Sequence, residues 1–525
     1  MENVSDDVKS IFDLDERQTE KKPSIIFTLI EEPKLKFANE GTFEDPKTGI
    51  RNFGPFSYST PQHPKEIKVG FIGTSNTIKL AKEWCEKCTQ YIKRKETDLP
   101  RLFQDFEGVN DLFKSQLVFA DHWNSQINNN EISRLLQIPK KSEGFEVALE
   151  LLSSKVRYIA EQDDKPDILI VCLPEEIEAY YKTTGEDRSN KRVRLTKAEK
   201  KLLELLKRVK NNSDNQRTLG GGTVEIPSFA KSPTNKNLRR AFKAAVMKYN
   251  IPTQILLPSK LHSSDSNEDD ATKAWNFCTA IYYKAGGIPW NIDMERGTCF
   301  VGVGFYKQFT ETSFSMQTSL AQVFTDRGDF LVLRGAKINW DLDKGRSPHL
   351  TYEAARDLVK LVLDKYKERN GSLPRRVVIH KTSKYWPDEL KGFLEPLKDI
   401  EQYDLVALYS SGIRFFRSGA YPVVKGTYCS ISDQAHFIFT QGYVPYLETY
   451  PKSHVPEPLE IVQHIGDSTK KSICEEIIGL SKMNWNTSEF SSKLPITLSF
   501  ADKVGEILSY VPENADPNPL YKFYM

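Results

Sequence analysis

Nowhere in these 525 residues does an apolar run approach the length of a membrane-spanning helix, which takes ~20 consecutive apolar positions. No charge of one sign dominates either. Lys and Arg number 73 against 71 Asp and Glu, a formal net charge of +2, so any affinity for a polyanion must come from local clustering. No G-x-G-x-x-G follows a strand, and Gly70-x-x-Gly73 alone is not a dinucleotide fingerprint, which argues against a Rossmann-type small-ligand enzyme. Cysteine is sparse. The one close pair, Cys85-x-x-Cys88, lacks the second pair a zinc site needs and the context a redox motif needs. With Ile78, Ala81 and Ile92 these thiols fall on one helical stripe, which predicts that they pack in a core. No secretory leader is visible. Met1 to Lys22 is polar and rich in both charges and reads as a mobile tail, so a cytoplasmic protein without a membrane partner is expected.

What is present sorts into two halves. After the tail (residues 1–23), an N-terminal segment of residues 24–65 holds one strand pattern, Ser24 to Ile30, and then irregular sequence with Gly and Pro. Ile67-Lys-Val-Gly-Phe-Ile-Gly73 reads as a buried strand, followed by a small polar turn and an amphipathic helix from Thr77 to about Lys93. Asp167 to Leu173 and Ile251 to Leu257 are two more buried strands. Helical periodicity precedes each, near Gly144 to Glu161 and Leu238 to Lys248. This alternation implies a mostly parallel sheet, a Rossmann-like α/β domain over residues 66–290. A basic insertion, residues 181–236, interrupts it. There Leu202, Leu205, Leu206 and Val209 stand at helical spacing among lysines and arginines, ahead of Gly220-Gly-Gly222. Two readings fit: a solvated helix with a mobile loop, or a basic helix beside a nucleic-acid channel or a partner.

Residues 291–525 follow a different order. Thr298 to Phe305, Ser315 to Phe324 and Phe330 to Arg334 read as three consecutive strands, with Asp326-Arg-Gly-Asp329 as a tight turn. A long helix from Thr351 to Arg369 comes next, with Gly371 suited to its cap. Then come a strand at Arg376 to His380, a short helix near Trp386 to Leu397 and a strand at Asp404 to Tyr409. Three antiparallel strands, then helix, strand, helix, strand, is the order of an RNase H-like fold. A last helix reaches about Tyr510, and the chain closes on Tyr521-Lys-Phe-Tyr-Met525.

A Rossmann-like domain followed by an RNase H-like one resembles the MID–PIWI pair of Argonautes. The motifs that carry the resemblance are Arg239-x-x-x-Lys243, Ile251-Pro-Thr-Gln254, Tyr283-Lys-Ala-Gly-Gly-Ile-Pro-Trp290 and Pro495-Ile-Thr-Leu-Ser-Phe-Ala-Asp502. Each is weak alone; their order and spacing together are specific. The match spans about Glu66 to the C-terminus, without room for separate N and PAZ domains, so the chain resembles the short prokaryotic Argonautes. The resemblance implies that Arg239, Lys243, Gln254 and Lys284 hold the 5′-phosphate of a guide strand, and that a Mg²⁺ bridges phosphate oxygens, Gln254 and the terminal carboxylate of Met525. These residue types suit a phosphate, because ammonium and guanidinium groups concentrate charge and donors, and a hard cation takes oxygen ligands. Arg239 stands where many family members carry an aromatic or His that stacks on the first base, so it either stacks or binds phosphate. Ala280 stands where some carry a further phosphate-binding Lys.

The same resemblance locates what is missing. RNase H-like cleavage uses two metal ions held by several acids. Gly304 and Thr382 occupy the positions of two of those acids, and only Asp502 remains, where capping the last helix next to Lys503 is its ordinary role. His380 reads as a strand-end residue and not as a ligand. A catalytically inactive PIWI domain is therefore expected. The competing expectation is an active nuclease using other acids, such as Asp326 or Asp329. The resemblance implies a guide RNA, a single-stranded DNA target and an APAZ-containing effector partner in an anti-plasmid or anti-phage complex. Ile30-Glu-Glu-Pro-Lys-Leu-Lys-Phe-Ala38 and Tyr282-Tyr-Lys-Ala-Gly-Gly287 look most like chains partnered with TIR–APAZ NADases. Nuclease- and sirtuin-type partners stay open.

Overall fold

The computed structural model describes residues 24–184, 236–261, 268–309, 314–324, 330–338, 348–419, 422–432, 435–512 and 514–525. The N-terminal tail, nearly all of the basic insertion and the Asp326–Asp329 turn lie outside these residues.

The described chain opens on three short strands, β1 (Ile25–Leu29), β2 (Leu35–Lys36) and β3 (Thr42–Phe43). The next strands are β4 (Glu66–Gly73), β5 (Gln116–Phe119), β6 (Ser125–Gln126), β7 (Ile168–Cys172) and β8 (Thr253–Leu256). They form a parallel sheet in the order β5-β4-β7-β8, with β6 pairing β4. β7 is Ile-Leu-Ile-Val-Cys and every residue is buried, as an inner strand covered on both faces requires. The helices here are α1 (Ser75–Lys87), α2 (Lys141–Ala160), α3 (Leu238–Val246) and α4 (Asp270–Lys284). α1 is shorter than its periodicity predicts. It ends before Cys88 because Ile92 leaves the helix to exchange backbone bonds with Phe106. Cys85 and Cys88 are fully buried, as their stripe predicts.

The second sheet is built from β10 (Thr298–Phe309), β11 (Phe314–Phe324), β12 (Phe330–Ile338), β13 (Arg376–Lys381), β14 (Gln402–Ser410), β15 (Thr427–Ile431), β16 (Ala435–Ile438) and β17 (Leu459–Gly466). A two-residue strand, β9 (Asn291–Ile292), precedes them and pairs with β2. The order β12-β11-β10-β13-β14 puts an antiparallel meander beside two parallel strands, the RNase H-like arrangement. Its helices are α5 (Tyr352–Asn370), α6 (Pro387–Leu394), α7 (Lys470–Leu480) and α8 (Ile496–Leu508). Gly371 ends α5 at φ 79°, the left-handed cap its position predicts. α8 lies directly on β10. A Cβ at Gly302 would come within 2.1 Å of the Thr497 carbonyl oxygen, so only glycine permits this approach.

The N-terminal segment runs across both halves. β1 pairs with β15 at the edge of the nine-stranded sheet, and Glu32 accepts from both Lys425 and Lys482 at 2.7 Å. One apolar core spans both sheets. Its seam includes Trp290, whose indole donates to the Lys482 carbonyl, and Tyr283, which packs on Trp485.

Candidate nucleic-acid interface

The candidate site grows from the helix α3. Asn237 caps it, its side-chain oxygen accepting from the Arg240 N–H at 3.2 Å. Arg239 and Lys243 are four residues apart and so share a face. Lys243 does not reach into solvent like an ordinary helix lysine. It is 2% exposed, and its ammonium donates to the Thr253 carbonyl at the start of β8. Lys284 closes α4. Gly286, at φ 105°, turns the chain there, and a Cβ on Gly287 would strike the Tyr282 ring, so the Gly-Gly pair sets this turn. The Lys284 side chain is fully buried and its ammonium donates to Oε1 of Gln254.

These cations face one another with little to neutralise them. Burial, then Lys284 and Arg239, hold the Lys243 ammonium well below the usual lysine range. Burial, then Arg239, push Lys284 down to about 7. Among the described residues no acidic side chain acts on either lysine to offset this. An uncompensated buried ammonium costs several kcal/mol, a cost that the charge of a nearby anion would offset.

A cavity of about 500 Å³ opens beside them, at the carboxyl ends of β7 and β8. Open α/β sheets bind ligands at such strand ends. Arg239, Arg240, Lys243, Lys503, Tyr521 and Met525 line it, and Arg240 is paired with Glu506 at 2.7 Å. The C-terminal tail is held there firmly. Tyr521 stacks on Phe500 at 3.5 Å, the Tyr524 hydroxyl donates to the Asn518 carbonyl, and Val332 of β12 donates to Pro519. Met525 itself is buried. Thus Arg239, Lys243 and Met525 share the cavity wall, while Gln254 and Lys284 stand behind it as a bonded pair. Lys503, the Arg240–Glu506 pair and Tyr521 are not legible as pocket residues in the sequence, because nothing local marks a helix near residue 503 as the neighbour of one near residue 240.

For Mg²⁺ the donors are chemically apt. The Gln254 amide oxygen is a hard oxygen, and the carboxylate expected at Met525 would be another. Gln254 Oε1 is already an acceptor for Lys284, so a cation fits only together with the negative charge of a phosphate. Among the described residues no three His, Cys, Asp or Glu side chains converge elsewhere.

The RNase H-like face is arranged as follows. The parallel register pairs Val303 with Lys381, so Gly304 and Thr382 come next at the same end of adjacent strands. Gly304 is buried and Thr382 is exposed just past β13. Asp502 is not a cap. It lies midway along α8, exposed, and Pro495 holds the N-cap position because its fixed φ opens the helix earlier than Asp502. His380 is core. Its Nδ1 bonds Thr497 Oγ1 at 2.8 Å, and burial with Arg376 nearby pushes it down to about 3. Lys381 is fully buried and paired with the equally buried Glu389.

No family model matches the chain. Among curated proteins it is 25% identical over 176 residues to the Argonaute of Thermus thermophilus, covering 32% of this chain and 24% of that protein. It is also 26% identical over 157 residues to an asparagine–tRNA ligase of Parabacteroides distasonis, covering 26% of this chain and 32% of that one. The structural likeness is far more extensive. The Clostridium butyricum Argonaute, solved with a guide DNA and a 19-mer target DNA, matches 95% of this chain at TM-score 0.59 and 18% identity. Drosophila Piwi matches 95% at TM-score 0.54 and 10% identity. The chain spans about half of those structures, 55% and 56% of their lengths. Its fold is Argonaute-like, a MID-like sheet joined to an RNase H-like PIWI sheet.

Proposed function

We propose that this chain holds the 5′-phosphorylated end of a guide strand in the cavity beside α3 and presents the rest of the guide to a complementary target, without cutting it. One observation carries the reading. Lys243 and Lys284 are buried with only neutral oxygens as acceptors, beside a cavity large enough for a terminal nucleotide. A guide phosphate supplies the missing negative charge. Arg239, on the cavity wall, takes a phosphate oxygen or stacks on the first base. Tyr521 and the apolar wall of Leu173, Phe242 and Ile255 keep water from the phosphate. A Mg²⁺, held by Gln254 and the Met525 carboxylate, would add further charge neutralisation at the phosphate.

The guide is RNA and the target single-stranded DNA, and base pairing, not the protein, reads the sequence. Gly304 and Thr382 offer no carboxylate where two-metal cleavage needs one, and an exposed Asp502 alone cannot hold two divalent ions. Chemistry therefore belongs to a partner: an APAZ-containing effector, of the TIR NADase type in preference to nuclease or sirtuin types, in a cytoplasmic defence complex against plasmids or phage. The alternative is an active nuclease whose acids lie outside the described residues, such as Asp326 or Asp329.

The deciding experiment loads purified chain with a 5′-phosphorylated guide RNA and adds complementary or scrambled DNA with Mg²⁺ or Mn²⁺. Retention of the complementary strand, uncut, is expected. Cleavage by the chain alone would contradict the reading.

A further inference from the structure

The cavity that a guide end would fill has two unlike walls. One, from the first sheet and its helices, is apolar, with Leu152, Val171, Leu173, Leu238, Ile255 and Leu257. The other comes from α8 and the segments beside it, and there Asn486, Lys503, Glu506 and Tyr521 carry polar groups. One of these groups is out of place in a phosphate site. Glu506 puts a carboxylate on the same face of α8 as Lys503, three residues on and about 4.5 Å along the axis.

Stability does not account for it. Arg240 on α3 holds the carboxylate at 2.7 Å, but the two side chains are 41% and 47% exposed, and an ion pair so open to water contributes little to folding. Toward a ligand phosphate the carboxylate is repulsive. It weakens binding unless the ligand brings a hydrogen-bond donor, because a carboxylate only accepts. A nucleic-acid strand offers two kinds of donor, the N–H groups of its bases and the 2′-hydroxyl of ribose.

The walls decide between them. The phosphate belongs with Lys243 and Arg239, and Lys503 stands at that end, held below the usual lysine range by burial and then by Arg239. The first base has flat apolar faces to bury and meets the apolar wall. The sugar that joins the two is left facing α8, one turn beyond Lys503, where Glu506 stands. Glu178, the other acidic side chain of the lining, follows β7 and belongs to the apolar wall, on the base side. We propose that Glu506 is a specificity residue: its carboxylate, positioned by Arg240, accepts a hydrogen bond from the 2′-hydroxyl of the guide's first ribonucleotide and so favours an RNA 5′ end over a DNA one. The inference rests on the guide-binding reading above and names the sugar that the site takes.

The experiment measures the affinity of the full chain for two 5′-phosphorylated guide RNAs that differ only in a 2′-deoxy sugar at the first nucleotide. Wild type should prefer the all-ribose guide by about tenfold, as one hydrogen bond to a charged group implies. Glu506→Ala should bring the ratio close to one, because the ribose end loses its bond and the deoxy end sheds a repulsion. Glu506→Gln, which keeps an acceptor oxygen, should retain part of the preference. A merely structural ion pair would move both affinities together and leave the ratio intact, and that result would overturn the proposal. So would a ratio that Glu178→Gln removes and Glu506→Ala does not, or a Glu506→Ala effect that follows the identity of the first base instead of its sugar. If wild type prefers a 5′-phosphate to a 5′-hydroxyl yet binds the ribose and deoxy ends equally, the sugar assignment fails and the guide-binding reading stands. If it shows neither preference, both fail.

Discussion

Lys284 donates its ammonium to the side-chain oxygen of Gln254, thirty residues earlier in the chain, and both lie behind the wall of the cavity that Lys243 and Met525 line. A charged donor is satisfied there by a neutral acceptor alone. The arrangement is electrostatically incomplete, and its behaviour should show it.

Titration is the first consequence. Lys284 is pushed down from 10.5 to about 7 by burial, then by Arg239. Below about pH 7 the lysine is charged in folded and unfolded chains alike. Between about 7 and 10.5 the unfolded chain binds the extra proton, so stability of the empty protein rises with pH across that window. A bound phosphate dianion favours the charged ammonium, so binding in the same window takes up a proton. Guide affinity should therefore fall as pH rises above about 7, and calorimetry in buffers of different ionisation enthalpy should report net proton uptake.

Replacing the buried lysines separates their binding role from a structural one. Lys284→Met removes a buried charge and keeps most of the volume, so the thermal midpoint of the empty protein should stay at or above wild type. Affinity for a 5′-phosphorylated guide should drop about tenfold or more, as loss of a charge-assisted bond implies. Lys243→Met should behave alike. A loss of stability without a loss of binding would assign the lysines to the core.

The tail predicts an effect of length. Met525 is buried against the cavity and Tyr521 is stacked on Phe500. Adding two glycines after Met525 moves the carboxylate away while leaving the Tyr521 stack in place. Guide affinity should weaken, and the Mg²⁺ dependence of binding should disappear. Unchanged binding with unchanged Mg²⁺ response would remove Met525 from the site.

On the RNase H-like face, Asp502→Ala should leave guide binding, target binding and melting essentially unaltered, because the residue is an exposed mid-helix carboxylate. If Asp502 took part in cleavage, the substitution would abolish a divalent-dependent product that the wild type makes.

Beside Thr382, the Lys381–Glu389 pair is fully buried, and Glu389 also accepts from the Leu350 N–H. Glu389→Ala strands a buried ammonium and should cost about 3 to 5 kcal/mol in denaturant unfolding. The double change Lys381→Met with Glu389→Leu should recover much of it.

Much of the scaffold is legible in local pattern. The all-apolar run Ile168 to Cys172 fits an inner strand, and Gly371 marks the end of α5. The order of strands and helices from Thr298 to Ser410 carries the second sheet's topology. What local pattern does not carry is contact between distant segments. Nothing around Ile25 announces a partner at Ile431, and nothing around Lys284 announces Gln254. Asp502 shows the opposite failure. Its position before Lys503 suggests a cap, but the helix has already begun at Ile496 behind Pro495. The pocket motifs are readable because Arg239 and Lys243 share a helix face. The surrounding Lys503, Glu506 and Tyr521 arrive by tertiary packing alone.

The most direct test of the central claim compares two guides differing only at the 5′ end. Fluorescence anisotropy should give tighter binding for the 5′-phosphate guide RNA than for the 5′-hydroxyl one, by about tenfold or more, and Lys284→Met should erase the difference. Equal affinity of the wild-type chain for the two guides would contradict the account.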